Sequence, residues 1–150
     1  MGNCVICGVE HSEEPEMCRE CWYSGAYLAR NLRGVLAVLE QVTGTPWEAA
    51  HTGGGCFWLA TPPYSDDDSP HANLVITAWP DVLDGSATVA EVEKDGGWLL
   101  SAFPHGHDSE GDSRTWPDDA FERGLGTEEL PVAVGEAVVW LTGMGVRFGR

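Results

Sequence analysis

Positive charge is what this chain has least of. Lys94 is its only lysine, and with seven arginines it has 8 basic residues against 24 acidic ones, a formal net charge of -16. The basic residues, Arg19, Arg30, Arg33, Lys94, Arg114, Arg123, Arg147 and Arg150, are scattered along the chain and form no stripe. A nucleic-acid reader needs clustered cations to replace the counterions of a phosphate backbone, so binding to DNA or RNA is not the expectation. Long apolar runs are also lacking. None approaches the roughly 18 residues of a membrane span, so no membrane partner is expected. The opening "MGNCVICG" shows neither a basic stretch nor an apolar one, and Ile6 stands where a myristoylation signal wants Ser or Thr. The expected location is therefore the cytoplasm. Disorder is not expected either, because 43% of residues are hydrophobic and seven are tryptophan.

Two units are legible. Residues 1–43 hold three basic and six acidic residues, net -3; residues 44–150 hold five and eighteen, net -13. The first unit ends in "WYSGAYLARNLRGVLAVLEQVTG", where Leu28, Leu32, Val35, Leu36, Leu39 and Val42 recur at helical spacing before Gly44. That pattern predicts one amphipathic helix of about 20 residues whose polar stripe carries Arg30, Arg33 and Glu40. In the second unit "CFWLAT", "NLVITAW", "ATVAEVE" and "WLLSAF" read as four strands. Asp95-Gly96 suits a two-residue turn joining the last two of them into a hairpin. The segment "PPYSDDDSPH" and the longer "PHGHDSEGDSRTWPDD" read as acidic loops, with a short helical turn at "DDAFER". A C-terminal helix with Leu130, Val134, Ala137, Val138 and Leu141 on one face, Pro131 near its start and Gly143 near its end completes the chain. The expected fold class is α+β: a zinc knuckle and long helix, a four-stranded, mainly antiparallel sheet covered on one face by helices, and a terminal helix.

The clearest chemistry lies in "CVICGVEHSEEPEMCREC". Cys4, Cys7, Cys18 and Cys21 form two C-x2-C pairs ten residues apart. Two residues between thiolates let one tight turn aim both sulfurs at a tetrahedral ion, and the second pair closes the site. Two disulfides or a redox dithiol are the alternatives; the first suits an oxidising compartment, and the second comes singly within a βαβ pattern. Structural Zn2+ held by four thiolates is the expected cofactor. The pairs and the helix after them resemble treble-clef and zinc-ribbon modules over residues 4 to about 30. More loosely, residues 1–43 resemble the short zinc-knuckle-plus-helix openings of small actinobacterial phage proteins. Arg19, Arg30 and Arg33 would have to share one helix face, with the acids turned away, for this unit to read nucleic acid.

Cys56 raises a separate question. "GGCFW" at Gly54–Trp58 resembles the nucleophile segment of peptide methionine sulfoxide reductase A. The resemblance implies a helix continuing past the tryptophan with a glutamate in it, whereas Leu59, Ala60 and Thr61 follow and Pro62-Pro63 stops any helix. The family's later signatures have no counterpart, and the other four cysteines are assigned to metal. A dyad of Cys56 with His51 lacks a nameable orienting group and oxyanion site. The expectation is a small buried cysteine on a core strand. His105 and His107, in "HGHD" with Asp108, are candidates for a second metal site or an enzyme centre, with Asp66, Asp67 and Asp68 as possible oxygen donors. Loop residues of these types are more often solvated.

The functional expectation is a zinc-stabilised, non-enzymatic binding protein. It would be an accessory phage factor that engages a basic host protein or imitates nucleic acid. The alternatives are a nucleic-acid-binding zinc finger and a small enzyme using Cys56 or His105 and His107.

Overall fold

Leu28, Leu32, Val35, Leu39 and Thr43 follow one another at intervals of three or four residues, and all are buried. They are the inward edge of two consecutive helices in the computed structural model. The structure describes residues 2–3, 10–11, 21, 24–53, 56–61, 73–78, 83–85, 87–103 and 125–145; at 2–3, 10–11 and 51–53 the description is of the backbone alone. In chain order the elements are β1 (Gly2–Asn3), β2 (Glu10–His11), α1 (Ala26–Asn31), α2 (Arg33–Thr43), β3 (Glu48–Gly53), β4 (Cys56–Thr61), β5 (Leu74–Ala78), α3 (Val89–Asp95), β6 (Trp98–Ala102) and α4 (Leu130–Gly143). The class is α+β, with helices, a four-stranded antiparallel sheet in the order β3-β4-β5-β6, and a C-terminal helix.

The single long helix expected over residues 22–44 is instead two helices meeting at Leu32, whose φ of -106° and ψ of 19° leave the helical region. The break is mild. Leu32 N–H still donates to Leu28 O at 2.9 Å, and Leu36 N–H to Leu32 O at 2.9 Å, so both sides keep one buried edge. Gly44, at φ 70°, closes α2 as the sequence suggests.

The larger correction concerns residues 87–103. The segment read as strand "ATVAEVE" is helix α3, and Asp95-Gly96 is not a hairpin turn. Thr88 is its N-cap: its Oγ1 accepts the Glu91 N–H at 3.3 Å and donates to Glu91 Oε1 at 3.0 Å. That is a capping arrangement of Thr and Glu three residues apart. Gly96, at φ 134°, ends the helix, and Gly97 leads directly into β6. Three of the four expected strands are present as β4, β5 and β6. The fourth, β3, lies in "EAAHTG", an alanine-rich stretch with little strand propensity of its own. Its pairing with β4, from Glu48↔Ala60 to Gly53↔Cys56, carries it. Its small side chains also admit α1: Gly25, at φ 83°, sits so close to the Ala49 carbonyl that a Cβ there would collide with it.

Both faces of the sheet are apolar, where one helix-covered face was expected. Phe57, Leu59, Ile76, Trp98 and Leu100 join the helices in the main core. On the opposite face Trp58, Ala60, Val75 and Phe103 form a second buried cluster with Ala50 against it. Alternation along β4 thus buries both sets, and each fully buried large apolar side chain contributes about 1.5–3 kcal/mol. Leu28, Leu32, Val35 and Leu39 share the main core with Leu130, Val134, Ala137 and Leu141 of α4. Val138, expected on the same face, is half-buried and packs against that core. Trp79, the "DDAFER" turn and both acidic loops lie outside the described residues.

Candidate functional site

Of the four metal-ligand candidates, Cys4, Cys7 and Cys18 lie outside the described residues; Cys21 is helical and half-buried. Their surroundings are partly defined. β1 and β2 pair antiparallel, Gly2 with His11 and Asn3 with Glu10. The connection between them, residues 4–9, contains the first C-x2-C pair. Ser24 Oγ donates to Cys21 O at 3.1 Å and accepts the Ala26 N–H at 3.3 Å, tying the second pair's end to the first turn of α1. Among the described residues no group of three or more metal-binding side chains occurs, and these include only Cys21 of the four thiols.

Cys56 opens β4 and is half-buried, more exposed than a core cysteine. It pairs with Gly53, whereas His51 pairs with Phe57, and the ladder shifts register between His51 and Gly53. The backbone therefore does not set His51 directly opposite Cys56. His105, His107, Asp108 and the Asp66–Asp68 run lie outside the described residues.

Two surfaces emerge that composition alone does not locate. The first is acidic. Trp98 N–H donates to Leu125 O and Leu125 N–H to Trp98 O, both at 2.7 Å, forming an antiparallel bridge on the outer side of β6. The Trp98 indole Nε1 donates to Thr127 Oγ1 at 2.9 Å. These bonds hold the turn at 126–129 beside the end of α3. They bring the turn that carries exposed Glu128 and Glu129 to the strand that follows α3, whose exposed acids are Glu91, Glu93 and Asp95, more than 30 residues earlier in the chain. Glu91 is engaged with Thr88, and Glu129 Oε1 accepts the Gly126 N–H at 3.4 Å. Among the described residues of these two segments Lys94 is the one cation.

The second surface is a groove of about 520 Å³ along α1 and α2, lined by Ala26, Ala29, Arg30, Arg33, Leu36, Ala37, Glu40 and Trp47. The expected polar stripe of Arg30, Arg33 and Glu40 is there. Trp47 is the unforeseen member. After the reversal at Gly44 its backbone N–H donates to Glu40 Oε2 at 3.3 Å, and its Nε1 to Thr43 Oγ1 at 3.0 Å. Arg19, the third arginine of the nucleic-acid alternative, lies outside the described residues.

No family model, curated protein or solved structure matches this chain. Among the described residues no helix is long and apolar enough to cross a membrane.

Proposed function

We propose that this chain is a zinc-stabilised, non-catalytic binding protein that acts in the cytoplasm and engages a basic protein partner through its acidic surface. A phage accessory factor that captures a host protein, or occupies its nucleic-acid site by imitation, fits this chemistry. The observation that carries the reading is the acidic edge held together by the Trp98–Leu125 bridge. That bridge joins two segments that both carry exposed acids, in a chain of net charge -16. Such a surface steers an oppositely charged partner and repels phosphate backbones. Zinc at Cys4, Cys7, Cys18 and Cys21 is supported by the spacing of the pairs, by the β1–β2 ladder on either side of the first and by the helical position of Cys21. In this role the metal is structural, since four thiolates leave no open coordination position.

The nucleic-acid reading has one observation in its favour, the shared groove of Arg30 and Arg33. Glu40 lines the same groove, and Trp47 is only 7% exposed, too covered to serve as a base-stacking platform. The acidic-surface reading is therefore preferred. Affinity capture with the full chain, assaying proteins, nucleic acid and metal together, tests it. Retained proteins should include basic ones that elute as salt rises. Retention of acidic proteins alone, or sub-micromolar binding to duplex DNA, would overturn the reading.

A further inference from the structure

We propose that the groove on the outer side of α1 and α2 is a second docking surface, one that takes an acidic amphipathic helix from a partner protein. Its lining follows the helix: Ala26, Ala29 and Arg30, Arg33, Leu36 and Ala37, then Glu40 recur at a period near 3.5 residues. That is the seam along which a second helix can lie, with anchors read at i, i+3, i+4 and i+7. Ala26, Ala29 and Leu36 are half-buried and Trp47 is buried, so they make an apolar floor; Arg30, Arg33, Ala37 and Glu40 are exposed and form the sides. Alanines in the floor let a partner backbone approach closely, as small residues do wherever helices pack tightly.

Charge complementarity selects the occupant. Arg30 and Arg33 are two of the three cations among the described residues, and both stand on this one groove. Glu40, which accepts the Trp47 N–H, offsets one of the two guanidiniums, so the described lining keeps a net charge of +1. An acidic helix meets two guanidiniums here and carboxylates over much of the remaining surface, which fixes where on the chain it can dock. A guanidinium can also take a carboxylate through two parallel hydrogen bonds, which adds direction to attraction. A nucleic-acid strand, charged at every nucleotide, gains less: among the described residues of the groove it meets only two cations and no exposed stacking ring, in a strongly acidic chain.

The test uses the full, zinc-loaded chain and a helical peptide library with a fixed leucine stripe and randomised flanking positions. Selected peptides should carry Asp or Glu three or four residues apart beside the leucines. They should lose roughly tenfold or more in affinity to the double variant R30E/R33E. A second variant, A37W, fills the groove without changing charge and should lose binding to the same peptides. Arg30, Arg33 and Ala37 are exposed, so both variants should keep the wild-type circular dichroism and melting temperature. Selection of basic or uncharged peptides, no selectable binder, or binders indifferent to both variants would overturn the proposal. So would a single-stranded oligonucleotide that binds more tightly than the peptides and depends on Arg30 and Arg33.

Discussion

Gly97 packs directly on the backbone of Leu125: at its φ of 104° a Cβ would overlap the Leu125 carbonyl. This contact sits one residue before the Trp98–Leu125 bridge, so the same point joins α3 to β6 and anchors the turn ahead of α4. Gly97→Ala should therefore combine backbone strain with a collision against main chain, which has no rotamer to move away. A loss of about 2–4 kcal/mol is expected in chemical denaturation. Gly34 is the matched control, with nothing within 4 Å of its would-be Cβ in the first turn of α2. Gly34→Ala should stabilise by about 0.5–1 kcal/mol. Equal effects at the two positions would refute the packing argument.

Thr43 makes a buried junction where α2 reverses into β3. Its Oγ1 donates to Leu39 O at 2.8 Å and accepts the Trp47 indole N–H at 3.0 Å. Thr43→Val keeps the shape but leaves the indole donor buried without this acceptor, at a cost of about 1–3 kcal/mol. Thr43→Ser keeps the hydroxyl and should recover most of that loss. Trp47 also lies in the groove floor, so its fluorescence should change in the valine variant and much less in the serine variant.

Zinc makes the third expectation. One ion per chain should be found by elemental analysis of protein purified without chelator, held by Cys4, Cys7, Cys18 and Cys21. Cys18→Ala should abolish stoichiometric binding and loosen the N-terminal unit, because in a small site the metal-binding free energy is folding free energy. Amide exchange over α1 should then quicken, while the β4–β5 ladder keeps its protection. Four thiols that are metal-free in the purified chain, or paired as disulfides, would contradict this.

The helical spacing from Leu28 to Val42, the Gly44 stop and the terminal helix were legible in the sequence because each rests on a local signal. So were β4, β5 and β6. The errors came where local signals compete. "ATVAEVE" is rich in valine, which favours a strand, but Thr88 and Glu91 form a capping pair and Val89 and Val92 repeat at helical spacing. The cap was the signal that could have settled it. β3 had no comparable signal. Alanines at positions 49 and 50 say little by themselves, and only the ladder to β4 and the close approach of Gly25 define that strand. The Arg30–Arg33 side of the groove could be read from helical periodicity. The place of Trp47 in it depends on how the chain reverses after Gly44, which periodicity does not encode. The acidic edge was likewise hidden, since it depends on a bridge between residues 98 and 125.

Cys56 should prove dispensable for binding. It opens β4, is half-buried and stands opposite Gly53, so Cys56→Ala removes one sulfur at the end of a strand. A cost of about 1 kcal/mol is expected, with partner capture unchanged. Methionine sulfoxide reduction by the wild-type chain, lost in Cys56→Ala, would revive an enzymatic role.

The acidic edge makes the last expectation, and its local hydrogen bonds decide which residues to change. Glu91 and Glu129 each serve a turn or cap, so neutralising them would confound binding with stability. Glu93, Asp95 and Glu128 are the other exposed acids of the two bridged segments. The triple variant E93Q/D95N/E128Q should fold as wild type but associate with the captured basic partner more slowly. The deficit should shrink as ionic strength rises, because added salt shortens the Debye length from about 10 Å at 0.1 M to about 3 Å at 1 M. Dissociation should change less, since charges at the rim act mainly on encounter. Separate triples at Asp66, Asp67 and Asp68 and at Asp108, Glu110 and Asp112 compare the two acidic loops with this edge. A rate unchanged by the edge triple but reduced by either loop triple would move the steering surface to that loop. Wild-type rates in all three variants across the salt series would mean that the acids only solvate the chain.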